Sequence, residues 1–183
     1  MSNNPPEHER FYTNIMGLTD LMHELSCICW EEGCEEVNPQ LVSFARSYLG
    51  NQDKIYLIET FINYSWEYWD EIKDRNEDFF IEHANDIFQH LPIKSDNINA
   101  FKTFMTAQDE DGNFIIIKDD KDAMWDYFDA MVKISIKYIH KAKRPKLIEK
   151  PEGMVPVYTS QKFREIKVRA IARAWGMELI PKN

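Results

Sequence analysis

The stretch FYTNIMGLTDLMHELSCIC, residues 11–29, decides the fold class. Phe11, Ile15, Leu18, Met22, Leu25 and Cys29 follow one another at alternating steps of four and three. On a helix that spacing holds all six on one side, as a seam between packed helices requires. Gly33 follows as a stop, because glycine adopts the left-handed conformation that ends helices. A seam of this kind needs other helices to cover it, and the rest of the chain supplies them.

Asn38 as N-cap, Pro39 at the first helical position and Gly50 just past the end bracket a second helix. Leu41, Ala45, Tyr48 and Leu49 are expected to form its buried side. Ile55, Ile58, Ile62, Ser65, Trp69 and Ile72 again step by three and four, which predicts one long third helix at the centre of the core. Glu77 and Asp78 open a fourth, striped by Phe80, Ala84, Ile87 and Leu91 and ended by Pro92. Ser95 caps a fifth carrying Ile98, Phe101 and Met105. Asp109 to Asn113 reads as a turn, and Phe114 to Ile117 is too short to tell strand from loop.

A long helix follows from about Lys121 to His140, with Asp122, Asp126 and Asp129 early and Lys133, Lys137 and Lys141 late, a polarity that suits the helix dipole. Lys143 to Tyr158, with Pro145, Pro151 and Pro156, reads as an extended connector. Ser160 caps a last helix to about Trp175, with Gly176 as its stop. The expected architecture is all-α: a bundle of six or seven helices with a basic, partly extended C-terminal segment. Residues 1–142 form the acidic helical bundle domain, and residues 143–183 the basic connector and C-terminal helix, docked on the same domain.

Length and composition agree with one helical domain. The chain has 183 residues, of which 44% are hydrophobic and 13% aromatic, enough for a large core, and only six glycines, too few for a turn-rich β fold. No apolar run approaches a membrane span, and MSNNPPEHER at the start lacks a secretory h-region. Three cysteines, all between Cys27 and Cys34, suit reduced thiols in a cytoplasmic or nuclear protein that is not secreted. Charge is divided along the chain. Residues 1–132 carry 27 acidic and 9 Lys or Arg side chains, a net of −18, whereas residues 133–183 carry 4 and 13, a net of +9. So sharp a division points outward, to a partner.

No catalytic signature emerges. There is no Gly-x-Ser-x-Gly elbow and no glycine-bearing phosphate loop. His23, Cys27, Cys29 and Cys34 offer four zinc-type donors, but Cys29 lies well round the helix from Cys27 and no paired C-x-x-C knuckle exists, so the spacing favours packed thiols over a site using His23, Cys27 and Cys34. The acidic residues around Cys34 disfavour its thiolate. His83, Asp86 and His90 share one helical face, as a metal site could, but a solvated face explains them more simply. The pairs Glu67 with Glu71 and Asp70 with Asp74 read the same way. An EF-hand frame on Gly112 puts Ala107 and Lys118 at its two essential ends and fails. The residues call for no cofactor.

The basic end is the best candidate for function. Lys141, Lys143, Arg144 and Lys146 cluster beyond a helix, and Lys143-Arg144-Pro145-Lys146 has the form of a nuclear-import signal. On the last helix Lys162, Arg169 and Arg173 fall in one arc, while Val168, Ile171 and Trp175 make an apolar arc elsewhere. Such a helix can dock and still show charge to phosphates. The acidic, Asn-, Ile-, Tyr- and Phe-rich helices such as Phe61 to Phe88, with the basic end, are similar in overall texture to uncharacterised proteins of large nucleocytoplasmic DNA viruses, including the amoeba-infecting marseilleviruses. That resemblance implies a virion-associated or host-directed accessory protein and carries over no functional residue. The expected function is a non-enzymatic interaction or assembly protein that self-associates, the basic end of one copy meeting the acidic body of another, or the aromatic seams of two copies pairing. The alternatives are nucleic-acid contact through the basic residues named above, and a metal-dependent enzyme.

Overall fold

The computed structural model describes residues 5–85, 95–142, 168–173 and 175–177. The chain is all-α. Among the described residues it forms α1 (Glu7–Glu31), α2 (Pro39–Gly50), α3 (Lys54–Ser65), a 3-10 turn (Trp66–Tyr68), α4 (Trp69–Lys73), α5 (Glu77–Glu82), α6 (Ser95–Thr106) and α7 (Lys118–Ala142). A further helical turn covers 168–173. None of the described helices is long and apolar enough to cross a membrane.

The helix ends follow local chemistry. The Cys34 N–H donates to the Cys29 carbonyl at 2.9 Å and the Gly33 N–H to that of Trp30 at 3.1 Å, with Gly33 at φ 88°, so α1 stops in a Schellman motif. Gly176, at φ 67°, ends the last helical turn in the same way, with the Met177 N–H on the Ala172 carbonyl at 2.9 Å. The Asn38 side chain accepts from the Gln40 N–H and starts α2 ahead of Pro39. α7 begins at Lys118, three residues before the expected start, where the Asp120 carboxylate accepts the Ile117 N–H at 3.3 Å.

The expected long third helix is broken. α3 ends at Ser65, a 3-10 turn intervenes, and α4 resumes at Trp69. The Ser65 hydroxyl donates to the Phe61 carbonyl at 2.6 Å and accepts the Trp69 indole N–H at 2.9 Å. Serine bonded back to its own helix bends it, and the tighter turn brings residues three apart into line. Trp66 and Trp69 are both wholly buried as a result. The fourth helix is also interrupted. α5 ends at Glu82, with His83 as its cap and the His83 ring 4.6 Å from that of Phe79. Ile87, Leu91 and Pro92 lie outside the described residues.

The chain divides into two compact units. One comprises Met1–Asn14, Gln52–Asp74 and Phe128–Asn183. Its core holds Phe11, Ile58, Ile62, Trp66, Trp69, Val132 and Ile136. Phe11 meets Phe61 at 5.2 Å, and the Tyr138 hydroxyl donates to Glu59 at 2.9 Å. Val168, Ile171 and Ala172 are buried here too. The other unit comprises Ile15–Asn51 and Arg75–Tyr127. Leu18, Leu25, Cys29, Val37, Phe104, Met105, Ile116, Met124 and Trp125 are among its buried apolar side chains. Phe80 packs against Trp125 at 5.7 Å, and Lys121 binds Glu77 at 2.6 Å.

The Asp109–Asn113 turn is a closed loop. The Asp109 carboxylate accepts the N–H groups of Asp111 and Asn113, each at 2.9 Å, and a single antiparallel bridge joins Gln108 and Phe114. The Asn113 backbone amide is the main cause of an Asp109 pKa below the ordinary 3.8. That carboxylate is occupied by its own turn.

Candidate functional site

α2 departs most from expectation. None of its residues is buried. Leu41 is 41% exposed, Phe44 72% and Tyr48 47%, although Leu41 and Tyr48 were expected in the core. Steps of three and four place these three within an arc of about 60° on one side of the helix. The only charged residue of α2, Arg46, lies well round the helix and forms a two-pronged ion pair with Asp20 of α1. Arg46's hydrogen bond holds the Asp20 carboxyl below its ordinary range. The half-buried Val42 and Leu49 lie on the Arg46 side. So the ion pair fixes which side of α2 turns toward α1, and the uncharged apolar side is left to solvent. Ile28 and Trp30, near the end of α1 in the same unit, are 45% and 46% exposed.

The basic residues separate into groups. Lys141 is exposed and ion-paired with Glu7. Burial pushes the Glu7 carboxyl up, but the Lys141 hydrogen bond and charge and a backbone hydrogen bond outweigh it and leave the pKa lowered. Arg169 and Arg173, one turn apart, are exposed, while Val168, Ile171 and Ala172 on the same turn are buried. Lys133 lies over the Trp175 ring at 5.3 Å. The helical turn thus has the buried apolar side and open basic side that its sequence implies. Lys143, Arg144, Lys146 and Lys162 lie outside the described residues.

Among the described residues no three His, Cys, Asp or Glu side chains are grouped to hold a metal ion. His83 packs on Phe79, and Asp86 and His90 lie outside the described residues. His23, Cys27 and Cys34 are all half-buried, and burial, with Glu36 and Glu32, raises the Cys34 thiol pKa. Burial, reinforced by Cys34, pushes the Cys29 thiol up to about 11.

The open face of α2 was missed because its pattern is that of any core-facing helix. The one available signal was that a single charge in twelve residues leaves little to solvate the opposite side. No protein-family model, curated protein or solved structure matches the chain.

Proposed function

We propose that this chain is a non-enzymatic interaction protein that associates with copies of itself through the exposed side of α2. One observation carries the reading: a whole helix buries no residue and turns Leu41, Phe44 and Tyr48 to solvent. A contiguous exposed apolar stripe is a usual mark of a contact site. Charge favours a second copy as its occupant. A chain of net charge −9 repels itself over most approaches, and the stripe carries no charge to add to that repulsion. A two-fold contact needs one surface that complements itself, and a row of uncharged side chains does so with the helices antiparallel.

The contact is small. A helix of 12 residues spans about 18 Å, and a standard interface buries about 800 Å² per partner, so an association no tighter than the micromolar range is expected. Sedimentation velocity across a concentration series tests it. The full chain should shift from monomer to dimer, and Phe44→Glu should stay monomeric with an unchanged circular dichroism spectrum. A monomer at every concentration, or a dimer indifferent to Phe44→Glu, would sink the reading. The accessory or virion role implied by the resemblance to proteins of large DNA viruses belongs to the same proposal, since assemblies are built by proteins that bind their own copies.

The exposed pair Arg169 and Arg173 favours a second reading, contact with nucleic-acid phosphates. Fluorescence anisotropy with duplex DNA at low and moderate salt tests it. Binding that weakens with salt and is lost in the double variant Arg169→Ala, Arg173→Ala supports it, and no binding at low salt removes it.

A further inference from the structure

We propose that Cys29 and Cys34 form a redox-active thiol pair, able to close into a disulfide across the C-terminal cap of α1. The geometry comes from the cap. In a Schellman motif the residue in the third position from the helix end and the residue two past the cap share a backbone hydrogen bond, and their side chains commonly touch. Cys29 and Cys34 occupy those two positions, joined by the 2.9 Å bond from the Cys34 N–H to the Cys29 carbonyl. A disulfide needs its two Cα atoms within about 7 Å and its side chains turned toward each other, and the cap's 2.9 Å bond with its usual side-chain contact supplies that approach. The thiols are near enough that Cys34 contributes to the raised pKa of Cys29. Cys27, the third cysteine, lies inside α1 and has no place in this cap.

The oxidant is a small disulfide such as glutathione disulfide. The half-buried Cys34 loses its proton and attacks one glutathione sulfur, releasing the first glutathione as thiolate, which takes up that proton. The Cys29 thiol loses its proton and attacks the Cys34 Sγ of the mixed disulfide, expelling the second glutathione. Two protein thiols and one glutathione disulfide give one protein disulfide and two glutathione thiols. Because both thiol pKa values are raised, exchange is slow at neutral pH and accelerates as pH rises into and beyond the ordinary thiol range. Once closed, the bond fixes the turn from which the chain leaves α1 toward α2.

The test incubates the full chain with glutathione disulfide at pH 7 and at mildly alkaline pH, then counts thiols and maps disulfides under non-reducing conditions. Cleavage after Glu31 or Glu32 separates the two cysteines, so only a disulfide keeps their fragments together. The expected result is a fall from three free thiols to one, a mass lower by two hydrogens, and fragments joined through Cys29 and Cys34, faster at the higher pH. Cys27→Ser should behave the same, with two free thiols falling to none. Cys34→Ser, at a half-buried position that tolerates it, should lose the linked fragments. A link through Cys27, a bond between two chains, or glutathione adducts without closure would overturn the proposal.

Discussion

Arg75 is the only non-glycine residue with positive φ among the described residues, at 51°. A side chain in the left-handed region costs roughly 1–2 kcal/mol, so something must hold this arginine there. Its guanidinium reaches Asp122 at 3.3 Å and Asp126 at 2.5 Å, and its side chain is 34% exposed. Two substitutions separate strain from charge. Arg75→Ala loses both ion pairs and keeps the strain, whereas Arg75→Gly loses the pairs and relieves it. We expect the glycine variant to be more stable than the alanine variant by roughly 1 kcal/mol, read from urea denaturation midpoints. Equal stability would mean that the backbone here stores no strain. Nothing in the sequence announced this residue, because a turn that holds arginine left-handed depends on partners 47 and 51 residues away.

At the scale of the element, the break after α3 rests on one hydroxyl. Ser65→Ala removes the acceptor of the Trp69 indole N–H, and Trp69 is wholly buried. A buried donor left without its partner costs about 1–3 kcal/mol, and the melting temperature should fall accordingly. Trp69→Phe removes the donor, so Ser65→Ala should cost much less in that background. The same cost in both backgrounds would show that Ser65 acts only through its own helix. This break was invisible in the sequence, since Ile62, Ser65, Trp69 and Ile72 keep steps of three and four straight through it. By contrast, the ends at Gly33, Asn38 and Gly176 were legible, because a cap depends on side-chain chemistry within a few residues. The apolar stripe of α2 lies between these cases. Its pattern states which side is apolar and not what covers it, so Leu41 and Tyr48 were assigned to a core that does not reach them.

For the whole molecule, charge decides how the proposed self-association would respond to solution conditions. Two chains of net charge −9 that meet at an uncharged stripe gain from anything that weakens their mutual repulsion. Raising salt from about 0.05 M to about 0.5 M shortens the screening length and should strengthen the dimer. If the +9 segment of one copy instead met the −18 body of another, the same salt would weaken it, so the sign of the effect separates the two contacts. Acid acts in two stages. From pH 7 toward the pI of about 5.1 the repulsion fades, and the dimer fraction should rise. Folding should survive that range. The carboxyls of Glu7, Asp20, Asp109 and Asp122 all have folded pKa values below their ordinary 4.5 or 3.8. A depressed carboxylate contributes stability that is complete above its ordinary value and is lost as pH falls through the folded one. Sedimentation equilibrium should therefore show association growing down to about pH 5, with circular dichroism showing loss of helix only below 3.8, the ordinary value of three of these four groups. A dimer that weakens between pH 7 and 5 with the helices intact would place charge, not the α2 stripe, at the contact.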